Sequence, residues 1–488
     1  MTAAAPGPPA GAELRTRAAR GSLWIGLGAL VSKGGLSVVL LVLAAVLTPR
    51  ELGVLAIGTL VVTLASQVQD LGLSDALTYR RDRVDEAART ALTLTLVGGL
   101  VSTAVVVAAS GAVAGFFSEP DARGVVVGLA GVLVLNAAAL VPVGLLTRSL
   151  DFRRRAVPQT VPGLVGSLLT VVLALTGHGV AALVVGQLVG AVVNVVLAFV
   201  VGPAVRPGWD RAVARELLAY SLPLLAAGLA HMGQLNVDYV LVGRLLSSAA
   251  LGVYSLAYRL ATLPYLALVQ VVNGAAYPLY CRLEDPRERA QAFRRVFGVV
   301  LLGTVPLVTG LLAFAPSVTL LGAKWLPAVP ALRGLAVYCL LFAVSETASV
   351  CLKACGRTDL VLATSVLHLV LLGGALLLVL PDHGLVAVGV VQAVVAGVLA
   401  LVNLLLLRRE LPTSWEGLAG TLAAPLTGAA ALAAVALASL QVPGLHAEDS
   451  FVPVTLRAVV AVGAYAVVVV AVDRASLVRV RDVLAGRA

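Results

Sequence analysis

Charge is scarce in this sequence: only 12% of its 488 residues are Asp, Glu, Lys or Arg, about half the share of an ordinary soluble protein. A chain this poor in charge cannot cover a water-facing surface, which excludes the soluble globular class and leaves no stretch polar enough for a separate aqueous domain. Cysteine is almost missing. The four present are Cys281, Cys339, Cys351 and Cys355, and no histidine lies beside the C-x3-C pair. Free thiols are therefore expected here and a zinc ligand set is not. The five histidines, His178, His231, His368, His383 and His446, have neither metal-ligand nor triad spacing. No G-x-x-x-x-G-K-[ST] occurs, so the chain carries no phosphate-binding loop for nucleotide hydrolysis.

What the sequence has is apolar residues, 60% of the total, with a mean hydropathy of +1.00. Runs of 18 or more nearly uncharged residues recur from end to end, the mark of an all-α polytopic membrane protein. Fourteen spans are expected, near 21–47, 50–71, 90–115, 122–146, 158–176, 180–202, 217–246, 249–273, 295–316, 328–352, 358–380, 384–407, 417–440 and 453–472. Residues 1–20 read as a disordered tail ahead of an uncleaved first helix. The breaks between spans alternate in charge. One set, from Arg15 through Arg80, Arg153, Arg211, Arg289, Arg357 and Arg408 to Arg487, holds 27 of the 35 basic residues. Positive charge marks the cytoplasmic side, so both termini are expected there, in a bacterial cytoplasmic membrane. The net charge of +10 is thus a topology signal and not a nucleic-acid footprint. Loops on the outer side are short, the longest being 441–452. A membrane glycosyltransferase or polymerase acting on lipid-linked sugars would need a larger outer loop bearing carboxylates or histidines.

Sliding the sequence on itself by 199 residues aligns Ser22-Leu23 with Ser221-Leu222, Leu52-Gly53-Val54 with Leu251-Gly252-Val253, and Thr63-Leu64 with Thr262-Leu263. That offset spans six helices and predicts two parallel six-helix lobes, 21–203 and 217–407. A cytoplasmic linker at 204–216 joins them, and helices 13 and 14 follow with a cytoplasmic tail in 408–488. Parallel repeats of this kind face a central cavity and rock about it.

A few ionisable groups interrupt the spans. Lys33 lies about eleven residues past Ser22, roughly 16 Å along the first helix, and a cation at a span's centre costs about 2.5–3.5 kcal/mol on insertion scales. Arg259, Asp238 and Glu346 are also mid-span, with Asp70 nearer a helix end. Two readings compete. In the structural one, Lys33 snorkels to the interface, and Asp238 and Arg259 form an ion pair. In the functional one, Lys33 and Arg259 line a cavity that binds a phosphate or diphosphate, and Asp238 or Glu346 is an ion-coupling carboxylate or an ion-pair partner. Gln67, Asn194, Gln234, Asn236, Tyr258 and Asn273 are candidates for a sugar path. Interhelical hydrogen bonds and packing of Tyr254, Tyr258 and Tyr265 against the preceding helix are the alternative.

Several stretches carry a family resemblance: "LTPRELGVLAIGTL", "DLGLSDALTYRRD", "LLTRSLDFRRRA", "GHGVAALVVGQLVGAVVN", "NVDYVLVGRLLSSAALGVYSLAYRLATLP" and "KACGRTDL". In order and spacing, over about residues 20–375, the chain resembles the polysaccharide (Wzx-type) flippases of the multidrug/oligosaccharidyl-lipid/polysaccharide (MOP) exporter superfamily. The resemblance implies a MATE-like fourteen-helix fold with inward- and outward-open states and no enzymatic activity or cofactor. It implies as substrate an oligosaccharide on a polyprenyl diphosphate, moved from the cytoplasmic to the outer leaflet. The lipid II flippases of that superfamily use a cationic cavity for the diphosphate, a role that Lys33 and Arg259 would fill here. H+ or Na+ as coupling ion, and polymerase or glycosyltransferase partners, are compatible with this reading. A multidrug or cation antiporter of the same superfamily would prefer an anionic cavity. A scaffold without transport would leave the buried charges without a role.

Overall fold

A computed structural model of the protein describes residues 39, 41–70, 73, 77, 82–148, 152–412, 415–442 and 450–472. Among these there are helices and turns and no strand. The described α-helices longer than ten residues are α1 Pro49–Asp70, α2 Val84–Phe116, α3 Ala122–Arg148, α4 Phe152–Leu175, α5 Ala181–Val201, α6 Arg211–Leu245, α7 Ser248–Pro264, α8 Gln270–Arg282, α9 Pro286–Ala313, α10 Ala328–Ala354, α11 Thr358–Glu410, α12 Ala423–Ala438 and α13 Phe451–Val472. Ten described segments are long and apolar enough to cross a membrane. Lys33 lies outside the described residues, as does the first expected span apart from Val39 and residues 41–47.

Helix ends follow capping chemistry where hydropathy alone misplaces them. The expected span at 295–316 is the apolar part of α9, which starts nine residues earlier. There Pro286 occupies the first turn and Asp285 Oδ1 accepts the Arg287 N–H at 2.9 Å. In α6, Asp210 Oδ1 accepts from the N–H groups of Ala212 (2.8 Å) and Val213 (3.1 Å), so the helix begins at 211 rather than 217. The span expected at 249–273 runs on to Arg282. It does so through one wide turn, Tyr265–Val269, directly after Pro264. The expected break near 381–383 is a single non-helical residue, Gly384 at φ 59°, inside α11. All four cysteines are free thiols.

The 199-residue offset reappears in the caps. Thr48 starts α1 with a reciprocal pair: its N–H donates to Glu51 Oε2 at 2.8 Å, and the Glu51 N–H donates to Thr48 Oγ1 at 3.3 Å. Ser247, 199 residues on, starts α7 by accepting the Ala250 N–H at 3.1 Å on its Oγ.

The described residues fall into two compact units, one within Met1–Leu47 and Val54–Met232, the other within Thr48–Gly53 and Gly233–Ala488. In the first, α4 and α5 cross at a stripe of small residues. A Cβ on Gly166 would lie 2.7 Å from the Gly186 carbonyl oxygen, and one on Gly186 would lie 1.9 Å from Thr170 Oγ1. In the second unit, Phe293, Phe297, Val300, Tyr280 and Leu352 form a core between α8, α9 and α10, with the two phenylalanine centroids 5.5 Å apart. The α12–α13 hairpin joins this unit through Tyr465, whose hydroxyl donates to the Leu302 carbonyl at 2.7 Å. Arg457 of α13 is buried there. Its Nε donates to Ser439 Oγ at 3.0 Å and its guanidinium sits 5.4 Å from the Phe314 ring centroid.

Candidate functional site

Two clusters hold several of the residues expected to act, one in each unit. In the second unit α6, α7 and the second half of α11 enclose the Asp238 carboxyl, which is 2% exposed. Asp238 Oδ2 accepts a short hydrogen bond from the Tyr254 hydroxyl and another from Gln392 Nε2 at 2.8 Å. The same Gln392 Nε2 also lies 2.6 Å from the Tyr254 hydroxyl oxygen. Among the described residues Asp238 Oδ1 and Gln392 Oε1 have no hydrogen-bond partner. A buried carboxylate with half its acceptor capacity unfilled is a high-energy arrangement and is ready to take a proton or a cation.

Aromatic rings wall this cluster. Tyr239 packs edge-on against Tyr254 (centroids 5.3 Å) and Tyr258 (5.5 Å), and Tyr258 continues to Tyr338 at 6.4 Å. Tyr338 stacks on Phe342 at 5.5 Å, and Phe342 faces His368 at 6.3 Å. His368 Nδ1 lies 2.7 Å from Gln234 Nε2, which brings a sugar-path candidate to the far end of the wall. Tyr254 and Tyr258 thus pack on α6 as the packing alternative expects, whereas Tyr265 packs on Phe342 of α10 at 5.2 Å.

Arg259 is half-buried in α7, one residue from Tyr258, with its guanidinium facing the Tyr239 hydroxyl. Among the described residues it has no carboxylate within ion-pair distance. The expected Asp238–Arg259 ion pair is not formed; the partners of Asp238 Oδ2 are Tyr254 and Gln392. A membrane-helix cation held only by a neutral hydroxyl keeps its capacity for an anion. Glu346 lies 3.9 Å from Lys353 on the same helix, as an ion pair near the end of α10. Asn273 is buried, and among the described residues neither of its amide atoms has a partner. Gln67 is half-buried on α1, and Asn236 stands two residues before Asp238 on α6.

The first unit contains a cavity of ≈ 470 Å³ between α3, α4 and α5. Asn194, a sugar-path candidate, lines it with Asn136, its Nδ2 donating to Asn136 Oδ1 at 3.5 Å. Gln159, Ser167, Thr170 and Gln187 add to its polar lining, and among the described residues no charged side chain contributes. With its amide oxygen turned toward Arg155, Gln159 accepts from that guanidinium twice, both at 3.2 Å.

Sequence reasoning missed Gln392, His368 and Tyr239. Gln392 stands alone in "VGVVQAVVAG", and a lone amide at mid-span is the signal that finds it.

Comparison with known proteins decides the family. Residues 42–330 match a family described as polysaccharide biosynthesis protein, which is more than half of the chain. The chain belongs to this family. Within the polysaccharide biosynthesis proteins it is 24% identical over 356 residues to the lipopolysaccharide biosynthesis protein WzxC of Escherichia coli, covering 71% of this chain and 72% of that one. It is 24% identical over 353 residues to the teichuronic acid biosynthesis protein TuaB of Bacillus subtilis (70% and 71% covered). To the succinoglycan biosynthesis transport protein ExoT of Rhizobium meliloti it is 26% identical over 302 residues, 61% of each chain. Among solved structures, the lipid II flippase MurJ in an inward closed conformation superposes with a TM-score of 0.77 at 11% identity, covering 94% of this chain and 99% of that one. An inward-facing multidrug resistance MATE family transporter of the MOP superfamily superposes with a TM-score of 0.62 at 18% identity (79% and 94% covered). At these identities the likeness is one of fold. This polysaccharide biosynthesis protein is a multi-pass membrane protein with the all-α fold of the MOP transporters.

Proposed function

We propose that the chain moves a polyprenyl-diphosphate-linked oligosaccharide from the cytoplasmic to the outer leaflet for assembly of a cell-surface polysaccharide, by alternating access and without ATP. Arg259 is the observation that carries this reading. It is a half-buried cation in α7 with no carboxylate partner among the described residues, which suits an anionic diphosphate and opposes a drug cation. The biosynthetic names of WzxC, ExoT and TuaB support the same substrate class.

In this reading the chain has fourteen spans arranged as two six-helix lobes, 21–203 and 217–407, and both termini are cytoplasmic. Lys33 supplies a second cation for the diphosphate. Asp238 is the coupling carboxylate, binding H+ or Na+ at its open Oδ1, while Glu346 is held by Lys353. Gln67, Gln234, Asn236, Tyr258 and Asn273 contribute to the sugar path. A polymerase or glycosyltransferase hands over or receives the glycan.

Deleting the gene in its host tests the proposal. The expected outcome is loss of surface polysaccharide with a polyprenyl-diphosphate glycan accumulating on the cytoplasmic leaflet. Unchanged polysaccharide together with sensitivity to cationic drugs would instead identify a multidrug antiporter.

A further inference from the structure

The cavity of the first unit has a composition that the diphosphate does not explain. A site for two phosphates needs cations or a fan of N–H donors, and the described residues lining this cavity are amides, hydroxyls, glycines and aliphatic groups without one charge. Its volume of ≈ 470 Å³ falls in the usual range for small-molecule sites. Two of its polar side chains are unfilled: among the described residues neither Ser167 nor Gln187 has a hydrogen-bond partner in the protein. Gln187 offers two donors and an acceptor, Ser167 one donor and an acceptor, and Asn136 and Asn194 keep spare capacity beyond their 3.5 Å bond. Neutral donors and acceptors in mixed array match the vicinal hydroxyls of a sugar ring.

The crossing of α4 and α5 keeps the arrangement rigid. Gly166 and Gly186 bring the two backbones into contact beside Ser167 and Gln187, so the unfilled groups stand on fixed elements. Arg155, bonded to Gln159, lies one helical turn beyond the polar lining toward the start of α4. The Arg155 charge therefore stands outside the cavity, and none of the described lining side chains is charged.

We infer that this cavity is a carbohydrate subsite that takes an uncharged hexose unit of the lipid-linked glycan through Ser167, Gln187, Asn136 and Asn194. The inference rests on the flippase reading and adds to it a division of labour. The diphosphate is met by cations, and this cavity recognises the sugar through neutral side chains.

Native mass spectrometry of the purified full-length chain in micelles tests it, with two probes: a polyprenyl diphosphate carrying a neutral hexose trisaccharide, and the bare polyprenyl diphosphate. The wild-type chain is expected to bind the glycosylated lipid about tenfold more tightly than the bare one. Gln187→Leu, and the milder Ser167→Ala should the first fail to fold, are expected to remove most of that difference and leave bare-lipid affinity unchanged. Equal wild-type affinity for the two lipids overturns the subsite. So does a variant that keeps the full preference, or one that weakens both lipids alike. A wild-type chain that binds neither lipid refutes the flippase reading itself.

Discussion

Gly53 of α1 and Gly252 of α7, 199 residues apart, seat against the start of each other's helix. A Cβ on Gly53 would stand 1.7 Å from the Ser248 carbonyl oxygen, and a Cβ on Gly252 would stand 1.8 Å from the Pro49 carbonyl oxygen. The obstacle in both cases is backbone, so no side chain can turn aside to make room.

Either Gly53→Val or Gly252→Val should therefore force the two helix starts apart. Overpacking of a close contact costs about 1–3 kcal/mol or more. The expected outcome is a lower melting temperature in detergent for both variants, by similar amounts because the two contacts are near mirror images. Wild-type stability of either variant would show that the helix ends are not in contact.

The Asp238 network makes a second prediction. Tyr254→Phe removes the hydroxyl that donates to the buried carboxyl, and Gln392→Leu removes the remaining donor. Hydrogen bonds to charged groups contribute about 1.5–3 kcal/mol. Each variant should lose stability on that scale, and the double variant should fall short of the sum because both donors serve one oxygen. Asp238→Asn should keep the fold and abolish the dependence of transport on an H+ or Na+ gradient, measured in vesicles with the gradient imposed or collapsed. Gradient dependence that survives in Asp238→Asn would assign coupling elsewhere.

Stability should also depend on pH through Asp210, which caps α6. The Val213 N–H foremost, then the Ala212 N–H and the Arg83 guanidinium at 3.1 Å, hold its carboxyl below the ordinary value of 3.8. The folded chain thus releases this proton more readily than the unfolded chain does. Its contribution is complete above the unfolded value of 3.8 and is lost as pH falls through the lowered folded value. Asp210→Asn, which still caps but does not titrate, should flatten the acid side of a melting-temperature profile between about pH 2 and pH 6. An unchanged profile would remove Asp210 from the account.

Much of the fold was legible because membrane spans and repeats announce themselves locally. "LGV" recurring at 199 residues marked the pair Gly53 and Gly252, and the apolar runs located α3, α5, α10 and α13 to within a turn. Helix starts at Asp210 and Asp285 were misplaced because capping carboxylates and charged first turns lie outside the hydrocarbon, where hydropathy has no signal. The partners of Asp238 were not legible for a different reason. Tyr254 lies on the next helix, but Gln392 is 154 residues away and only the packing of α11 brings it there. Arg259 was read as a cavity cation or an ion-pair partner. The choice depended on a contact that sequence spacing cannot show.

Lys33 belongs to the proposed cationic pair. Lys33→Ala should reach normal membrane levels yet lose surface polysaccharide, read by whole-cell glycan staining beside an immunoblot. Full export by this variant would make Lys33 a snorkelling side chain with no substrate role.

The most direct measurement reconstitutes the purified chain in liposomes that hold a polyprenyl-diphosphate oligosaccharide and follows the loss of that glycan from the outer leaflet with an impermeant sugar-oxidising reagent. Wild-type protein should move the glycan lipid between leaflets, and Arg259→Gln, folded and incorporated to the same level, should slow that movement at least about tenfold, the equivalent of one lost charge-assisted contact. Equal rates for wild type, Arg259→Gln and protein-free liposomes would contradict the account.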